Sequence, residues 1–195
     1  MDKLLDTIMD FVLKNKDIDN DEAEVVRYGL EMFILKAVFS LAALAVGALM
    51  HSFWECLVFI ILFSAIRSYA GGYHADTRIQ CFIQSVLTFV AVFTVLKVYT
   101  YFMPQLIVSS VVFAISLWFF SPIDTENRRL SDEECRKFRN KTRLVLCIEA
   151  VIAVVSHFLN FGSISCAVML AVITSGVLMS VGYIKEENNE KSNEK

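Results

Sequence analysis

The sequence is poor in charge and in the residues that build metal sites. Only 20% of its 195 residues are charged, the formal net charge is −3, and there are three His and five Cys. Nucleic-acid-binding proteins cluster Lys and Arg on one face, and this sequence shows no such basic stripe. We therefore predict no nucleic acid as partner. No second His or Cys pair has metal-ligand spacing, so we predict neither a metal nor another cofactor. Five is an odd number for a disulfide framework, and we expect free thiols.

What the sequence has in abundance is apolar residues, which make up 56% of the chain. They come in long blocks that are nearly free of charge, and a helix needs about 20 apolar residues to cross a bilayer. We therefore predict an all-α integral membrane protein with six transmembrane helices in one membrane-embedded domain, residues 1–185, followed by a polar, disordered tail over 186–195. The predicted spans lie near 31–50, 53–70, 81–100, 104–120, 143–160 and 163–183.

The short apolar block is 53–66, which has only 14 residues. It is typical of a re-entrant segment, or it continues to Ala70 with the Arg67 side chain reaching the membrane interface. We favour the full span, because the distribution of Lys and Arg requires one there.

Lys and Arg concentrate in every second connection between the predicted spans. Residues 1–29 carry four, 67–81 carry two, 121–143 carry seven, and the chain from 184 carries three, so 16 of the 18 lie in alternate connections. Cytoplasmic connections are enriched in these residues. The pattern predicts that both termini and the 67–81 segment lie on the cytoplasmic side.

The N-terminal residues form an amphipathic pattern. Over 2–14, apolar residues fall on one helical face and charged residues on the other. We predict a helix over 1–15 that lies in the membrane interface. A short surface helix packed on the loops is an equally good interpretation at this point.

The stretch between the second and third spans, "RSYAGGYHADTRIQC" (67–81), contains a possible nucleophile and base. A cysteine nucleophile needs a base or a positive environment to become a thiolate. His74 alone among the three His is predicted to share a side of the membrane with Cys81. The plainer interpretation is a Gly-rich turn, with Cys81 as a small apolar residue and His74 at the interface.

The spacing of this pair imposes a condition on the backbone. Seven residues of straight helix would separate His74 from Cys81 by about 10.5 Å along the axis. An acid–base pair therefore requires the helix to break around Gly71-Gly72 and to restart near Asp76–Thr77. Cys81 then lies in the first turns of the next helix, where the helix dipole favours a thiolate.

Two further groups of charged residues allow other functions. Glu55 and Glu149 lie inside predicted spans, where charge is costly and usually functional, and either would suit a transport path. The seven basic residues of 121–143 suit control of topology and contact with anionic lipid. They also suit a cytoplasmic docking surface for a substrate or a partner protein.

Two quoted motifs carry a resemblance to a known family. "RSYAGGYHADT", followed by Cys81, and the later "SPIDTENRRL" (121–130) resemble the accessory gene regulator B family, the membrane cysteine endopeptidases that process precursors of quorum-sensing autoinducing peptides. The length, the apolar blocks and the amphipathic start also fit. The resemblance implies that Cys81 is the nucleophile and His74 the base and acid.

The same resemblance implies the rest of the site and the reaction. Cleavage would release the C-terminal tail of a short AgrD-like peptide precursor, leave an acyl-thioester, and lead to (thio)lactone ring closure. The implied partners are this precursor, the lipid bilayer and a second copy in a homodimer. An alternative is a small membrane peptide transporter without proteolytic activity. The remaining site candidates are supporting or oxyanion residues (Arg67, Gly71, Gly72, Tyr73), orienting acids (Asp124, Glu149) and docking residues (Arg128, Arg129).

Overall fold

The computed structural model describes residues 20–71, 78–123 and 131–193, and every element within them is an α-helix. The all-α prediction is therefore confirmed for this part of the chain. The amphipathic helix predicted over 1–15 lies outside the described residues. The five helices are α1 (Asn20–Leu49), α2 (Phe53–Ala70), α3 (Arg78–Phe120), α4 (Asp132–Phe158) and α5 (Gly162–Asn193).

The chain divides into two compact units, residues 1–46 and 47–195. The first unit contributes most of α1, a helix of 30 residues that begins in the acidic link and continues through the first apolar block. The second unit contains the other four helices and both quoted motifs. It is the unit in which the candidate site lies.

Long apolar helices dominate the described residues. Among those residues, four stretches are long and apolar enough to cross a membrane, namely Gly29–Leu49, Phe53–Ala70, Phe82–Phe120 and Gly162–Lys185. The outward side chains are also apolar: Phe119 and Phe120 of α3 are each 66% exposed. An apolar exposed surface of this extent is typical of contact with lipid. These features indicate a membrane protein.

The number of crossings stays a prediction. The predicted spans near 31–50, 53–70 and 163–183 match three of the apolar stretches, and α2 ends at Ala70 as the extended span requires. The span predicted over 143–160 overlaps α4 as far as Phe158. Helix α4 also carries Lys141, Arg143 and Glu149 and is not among the four apolar stretches.

One helix contains both the third and the fourth predicted span. Residues 78–120 form one uninterrupted run of 43 helical residues, with Pro104 inside it. The predicted spans near 81–100 and 104–120 are therefore joined without a loop. Proline has a helical φ, but it removes one N–H, here the partner of the Thr100 carbonyl, and its ring crowds that carbonyl, so the helix continues with a bend.

The helix α3 is sharply bent. Ile123 donates its N–H to the Ala70 carbonyl over 3.2 Å, so both helix ends are tethered to the end of α2. A straight α3 would be about 63 Å long. The lengths of chain 71–77 and 121–123, which join the two ends of α3 to Ala70, allow those ends to lie at most about 46 Å apart. A single bend near its middle must then exceed about 85°. Pro104 is the residue in α3 that accounts for such a kink.

Contacts with α2 show the course of the two halves. The Lys97 ammonium donates to the Met50 carbonyl over 2.9 Å, just before α2 begins. The Phe89 ring packs edge-on against Phe59, near the middle of α2. Ile123 follows the end of α3 and reaches the opposite end of α2. The chain thus runs towards the start of α2 and then returns to its end.

Helix α5 supplies the centre of the core. Its residues 165–172 are all buried, as expected for a helix that is apolar around its whole circumference. Phe59 from α2 and Val92 and Leu106 from α3 pack in the same cluster as Cys166 and Leu170. At Gly176 the helices approach closely, because an added Cβ would lie 2.7 Å from the Phe113 Cβ.

Local signals in the sequence set the start of α4. Ser131 is the N-cap, and its hydroxyl accepts from the Glu134 N–H while the Glu134 carboxylate accepts from the Ser131 N–H. The sequence "SDEE" (131–134) is typical of a helix start of this kind, with Ser at the N-cap and Glu three residues later. Helix α3 ends at Phe120, before Pro122, because a proline disfavours helical backbone in the residue that precedes it.

The end of α5 differs from the prediction. The polar tail was predicted to be disordered from residue 186, but α5 continues to Asn193. Neither Gly nor Pro occurs between Tyr183 and Asn193. Each added residue extends an existing helix without a new nucleus, so a polar, charged sequence remains helical here.

Candidate active site

The predicted nucleophile lies in the first turn of α3. The helix begins at Arg78, which makes Cys81 its fourth residue. The side chain of Cys81 lies outside the described residues, as do His74, Gly72 and Tyr73. The structure therefore fixes the backbone position of Cys81 and leaves the predicted catalytic pair a prediction.

The backbone is interrupted where the sequence required it. Helix α2 ends at Ala70, and Gly71 has φ +71° and ψ −147°. This combination belongs almost exclusively to glycine, because a Cβ would clash with the backbone. No unbroken helix therefore joins α2 to α3, which was the condition for bringing His74 back to Cys81.

Arg67 holds the interruption from within α2. Its Nη1 donates to the Gly71 carbonyl over 2.6 Å, a short charge-assisted bond across the last turn of the helix. The carbonyls at a helix C-terminus lack intrahelical donors, and a cation satisfies them well. Arg67 thus contributes to the shape of this turn, and its supporting role in catalysis stays a prediction.

The second motif lies directly against this turn. Ile123 donates its N–H to the Ala70 carbonyl over 3.2 Å. A Cβ on Gly71 would lie 3.0 Å from the Ile123 carbonyl oxygen. The residues 121–123 therefore pack on 70–71, although about 50 residues of sequence separate them. Asp124, Arg128 and Arg129 follow in the chain and lie outside the described residues.

Helix α4 braces the same region with cationic side chains. The Arg139 Nε donates to the Ser121 carbonyl over 3.2 Å, and the Arg143 Nε donates to the Trp118 carbonyl over 3.4 Å. The Lys141 ammonium lies 4.9 Å from the centre of the Tyr69 ring, within cation–π range. Three of the seven basic residues in 121–143 thus contact the ends of α2 and α3.

Glu149 lies deeper in α4. It is fully buried, and neither carboxylate oxygen has a hydrogen-bond partner in the structure. It follows Lys141 by eight residues, or about 12 Å along the helix axis. Glu55 lies at the other end of α2, in its first turn. The two carboxylates are therefore not gathered at the interrupted turn.

Sequence reasoning missed three contributors to this region: Ser121, Ile123 and Arg139. Ser121 is fully buried, and its hydroxyl has no partner in the structure. The signal available in the sequence was the "SPID" motif itself, whose turn residues indicated a bend but not what it packs against. Arg139 was one of seven similar basic residues, and only its contact distinguishes it.

Four cysteines have described side chains, and all are free thiols: Cys56, Cys135, Cys147 and Cys166. Cys56 and Cys166 are buried in the helix core, Cys135 is half-buried near the start of α4, and Cys147 is exposed on α4. Cys56 and Cys135 are, like Cys81, the fourth residues of their helices. What distinguishes Cys81 is that its helix follows the Gly71 turn.

Comparison with known proteins identifies the family. The family model described as accessory gene regulator B matches residues 5–182. Among curated proteins, the chain is 25% identical over 177 residues to putative AgrB-like protein 2 of Clostridium perfringens, covering 85% of this chain and 83% of that protein. It is 21% identical over 179 residues to accessory gene regulator protein B of Staphylococcus intermedius, covering 89% and 91%.

A third relative, accessory gene regulator protein B of Staphylococcus aureus strain JH9, is 22% identical over 156 residues, covering 80% of this chain and 83% of that protein. No solved structure matches the chain. The family match includes both quoted motifs, the interrupted turn after α2 and all of α3 and α4. This chain is a member of the accessory gene regulator B family.

Proposed function

We propose that the protein is a membrane cysteine endopeptidase that processes a quorum-sensing peptide precursor, with Cys81 as nucleophile and His74 as general base and acid. The observation that carries this proposal is the tethering of Ile123 to Ala70 and Gly71. It joins the two family motifs at one turn, directly before the helix whose first turn holds Cys81.

The proposed reaction has two acyl transfers. His74 takes the Cys81 proton, the thiolate attacks a peptide carbonyl near the end of the future ring, and His74 returns the proton to the leaving amine. The C-terminal tail departs, and the remaining peptide is bound as a thioester. A thiol or hydroxyl within the substrate then attacks that thioester, which closes the ring and releases Cys81.

The local electrostatics support this role for Cys81. The first turn of a helix presents unpaired N–H groups and the positive end of the dipole, which both stabilise a thiolate. The backbone N–H groups of the Gly71-Gly72 turn are proposed as oxyanion donors, with Tyr73 alongside. A site at the membrane interface limits access of water, which would otherwise hydrolyse the thioester before the ring closes.

The proposed setting is a chain with six spans and both termini in the cytoplasm, so that the turn after α2 faces the cytoplasm. The substrate is a short AgrD-like precursor, held by the interfacial N-terminal helix and by Arg128 and Arg129. A homodimer in the lipid bilayer is the proposed assembly. Asp124, next to the tethered Ile123, is the better candidate to orient His74, since Glu149 lies deeper.

The test is co-expression of the full chain with a tagged short precursor that has an amphipathic start, a central Cys or Ser and an acidic end. Cys81→Ala and His74→Ala should each abolish release of the tail. Cys135→Ala and His51→Ala are matched controls, since they remove the same groups away from the turn, and both should cleave normally. Equal cleavage by Cys81→Ala and the wild type would overturn the proposal.

A peptide transporter is a second candidate, and the buried, unpartnered Glu149 is the observation that favours it. Carboxylates inside membrane helices commonly mark transport paths. In this case Glu149→Gln would stop efflux of a labelled peptide from proteoliposomes, while Cys81→Ala would leave efflux unchanged. The transporter is excluded if the wild type and both variants show no efflux and only Cys81→Ala loses cleavage of the precursor.

A further inference from the structure

Two arginines of α4 reach the C-terminal carbonyls of α3. Arg139 donates from Nε to the Ser121 carbonyl and Arg143 from Nε to the Trp118 carbonyl. The two arginines are four residues apart and thus lie on one helix face. The last carbonyls of a helix need external donors, and cations suit the negative end of the dipole. This arrangement is a cap supplied by a neighbouring helix.

The Arg139 contact continues towards the interrupted turn. Ser121 is fully buried, and two residues later Ile123 bonds the Ala70 carbonyl and packs its own carbonyl against Gly71. Gly71 is also held by Arg67. A continuous series of contacts therefore runs from Arg139 through Ser121 and Ile123 to the start of the segment that carries His74.

The contact is specific to the side chain of Arg139. Arg136, Lys137 and Arg139 are all exposed overall, so what distinguishes Arg139 is its hydrogen bond to the Ser121 carbonyl. A basic residue that serves only topology or lipid contact needs a charge and no particular geometry. Arg139 instead directs its Nε–H to one carbonyl of a fully buried residue. A lysine places its donors one bond further along the side chain than the Arg139 Nε, so it cannot make this bond with the same geometry.

We propose that Arg139 is a positioning residue for the reaction: it fixes residues 121–123, which in turn fix the Gly71 turn from which His74 approaches Cys81. This inference rests on the proposed function and adds a residue to it. Arg139 acts through Ser121 and Ile123 and does not contact the substrate. Its loss should therefore slow the chemical step and leave binding of the precursor unchanged.

The experiment compares Arg139→Lys and Arg139→Gln with Arg136→Gln, in the full chain reconstituted in nanodiscs with the tagged precursor. Both Arg139 variants should lower kcat by about tenfold or more, because the buried Ser121 carbonyl loses the donor at the position of the Arg139 Nε, with KM within about twofold of the wild type. Arg136→Gln removes the same charge from the exposed surface and should match the wild type. Arg139→Lys keeps charge and length, so it remains measurable if Arg139→Gln fails to accumulate.

A second measurement separates positioning from general stability. The rate of Cys81 alkylation is followed against pH by peptide mapping, normalised to the folded fraction from thermal unfolding. Without the positioned turn, the midpoint should rise towards that of an ordinary thiol, about 8.5. A purely structural role would lower the melting temperature and leave the midpoint of the folded molecules where it was.

The outcomes are distinct. Wild-type kcat in Arg139→Lys would show that charge alone matters and would overturn the inference. An equal loss in Arg136→Gln, or an unchanged alkylation midpoint in both Arg139 variants, would overturn it as well. Cleavage by Cys81→Ala in the same assay would instead overturn the proposed function. An inactive Cys81→Ala with a fully active Arg139→Lys would refute this inference alone.

Discussion

Replacing Gly71 with alanine should distort the turn on which the candidate site depends. The residue has φ +71° and ψ −147°. For a residue with a Cβ, this region costs about 1–3 kcal/mol. The new methyl group would also lie 3.0 Å from the Ile123 carbonyl oxygen, closer than nearly all real Cβ contacts. Since Ile123 is bonded to Ala70, relief of the clash means loosening the contact between the two motifs.

Gly29→Ala is the matched control. Gly29 lies inside α1, and a Cβ there would meet nothing within 4 Å. Alanine is favoured over glycine in a helix interior by about 0.5–1 kcal/mol, so this variant should be slightly stabilised. The two substitutions make the same chemical change and should alter the free energy of unfolding in opposite directions, differing by about 1.5–4 kcal/mol.

Thermal unfolding in nanodiscs, followed by circular dichroism, measures this difference, and precursor cleavage measures its effect on function. A change of 1 kcal/mol shifts the melting temperature by about 2–4 °C in a chain of this size. Gly71→Asn tests whether the ψ angle of residue 71, and not only its positive φ, requires glycine. Asparagine tolerates the left-handed helical region but not a ψ near −147°, so it should be as damaging as alanine. The reasoning is refuted if Gly71→Asn restores stability, or if Gly71→Ala and Gly29→Ala behave alike.

Three further predictions concern packing and helix ends. Gly176→Ala should lower stability by about 1–3 kcal/mol, because its Cβ would lie 2.6 Å from the Phe113 Cδ1 and 2.7 Å from the Phe113 Cβ. Adding Phe113→Ala removes the ring but keeps the Cβ, so it should recover only part of the loss in a double-mutant cycle. Ser131→Ala should cost about 0.5–2 kcal/mol by removing the N-cap of α4, whereas Ser131→Asp should retain it; equal melting temperatures for all three chains would contradict the cap. Glu149→Leu should have a melting temperature at least as high as that of the wild type, because it replaces a buried, unpartnered carboxyl with an apolar group. A large drop in melting temperature would indicate that the carboxyl has a partner.

Much of the helical framework follows from short stretches of sequence. The end of α2 at Ala70, the end of α3 before Pro122 and the capping box at Ser131 all depend on residues within a few positions of the boundary. Glycine, proline and capping side chains act on neighbouring residues, so their effects can be predicted from the sequence without knowledge of the fold. The family resemblance was also carried by contiguous motifs, and the family match confirms it.

The expectation that residues 186–195 are disordered failed because it treated polarity as a sufficient signal: α5 extends to Asn193. An existing helix continues here at little cost, since elongation needs no new nucleus. The bend of α3 emerges from tethering of its ends to α2, which is information that no window of sequence contains.

The sequence by itself determined that the chain is helical and apolar, where two of its helices must stop, and which family it belongs to. Tertiary structure alone decided that residues 121–123 pack on the Gly71 turn and that Arg139 points at the Ser121 carbonyl. It also left Glu149 buried without a hydrogen-bond partner. The physical reason is the separation in sequence between the residues that interact. Caps and turns are set by neighbours in the chain, whereas these contacts join segments far apart in sequence, and only the packing of α2, α3 and α4 brings them together.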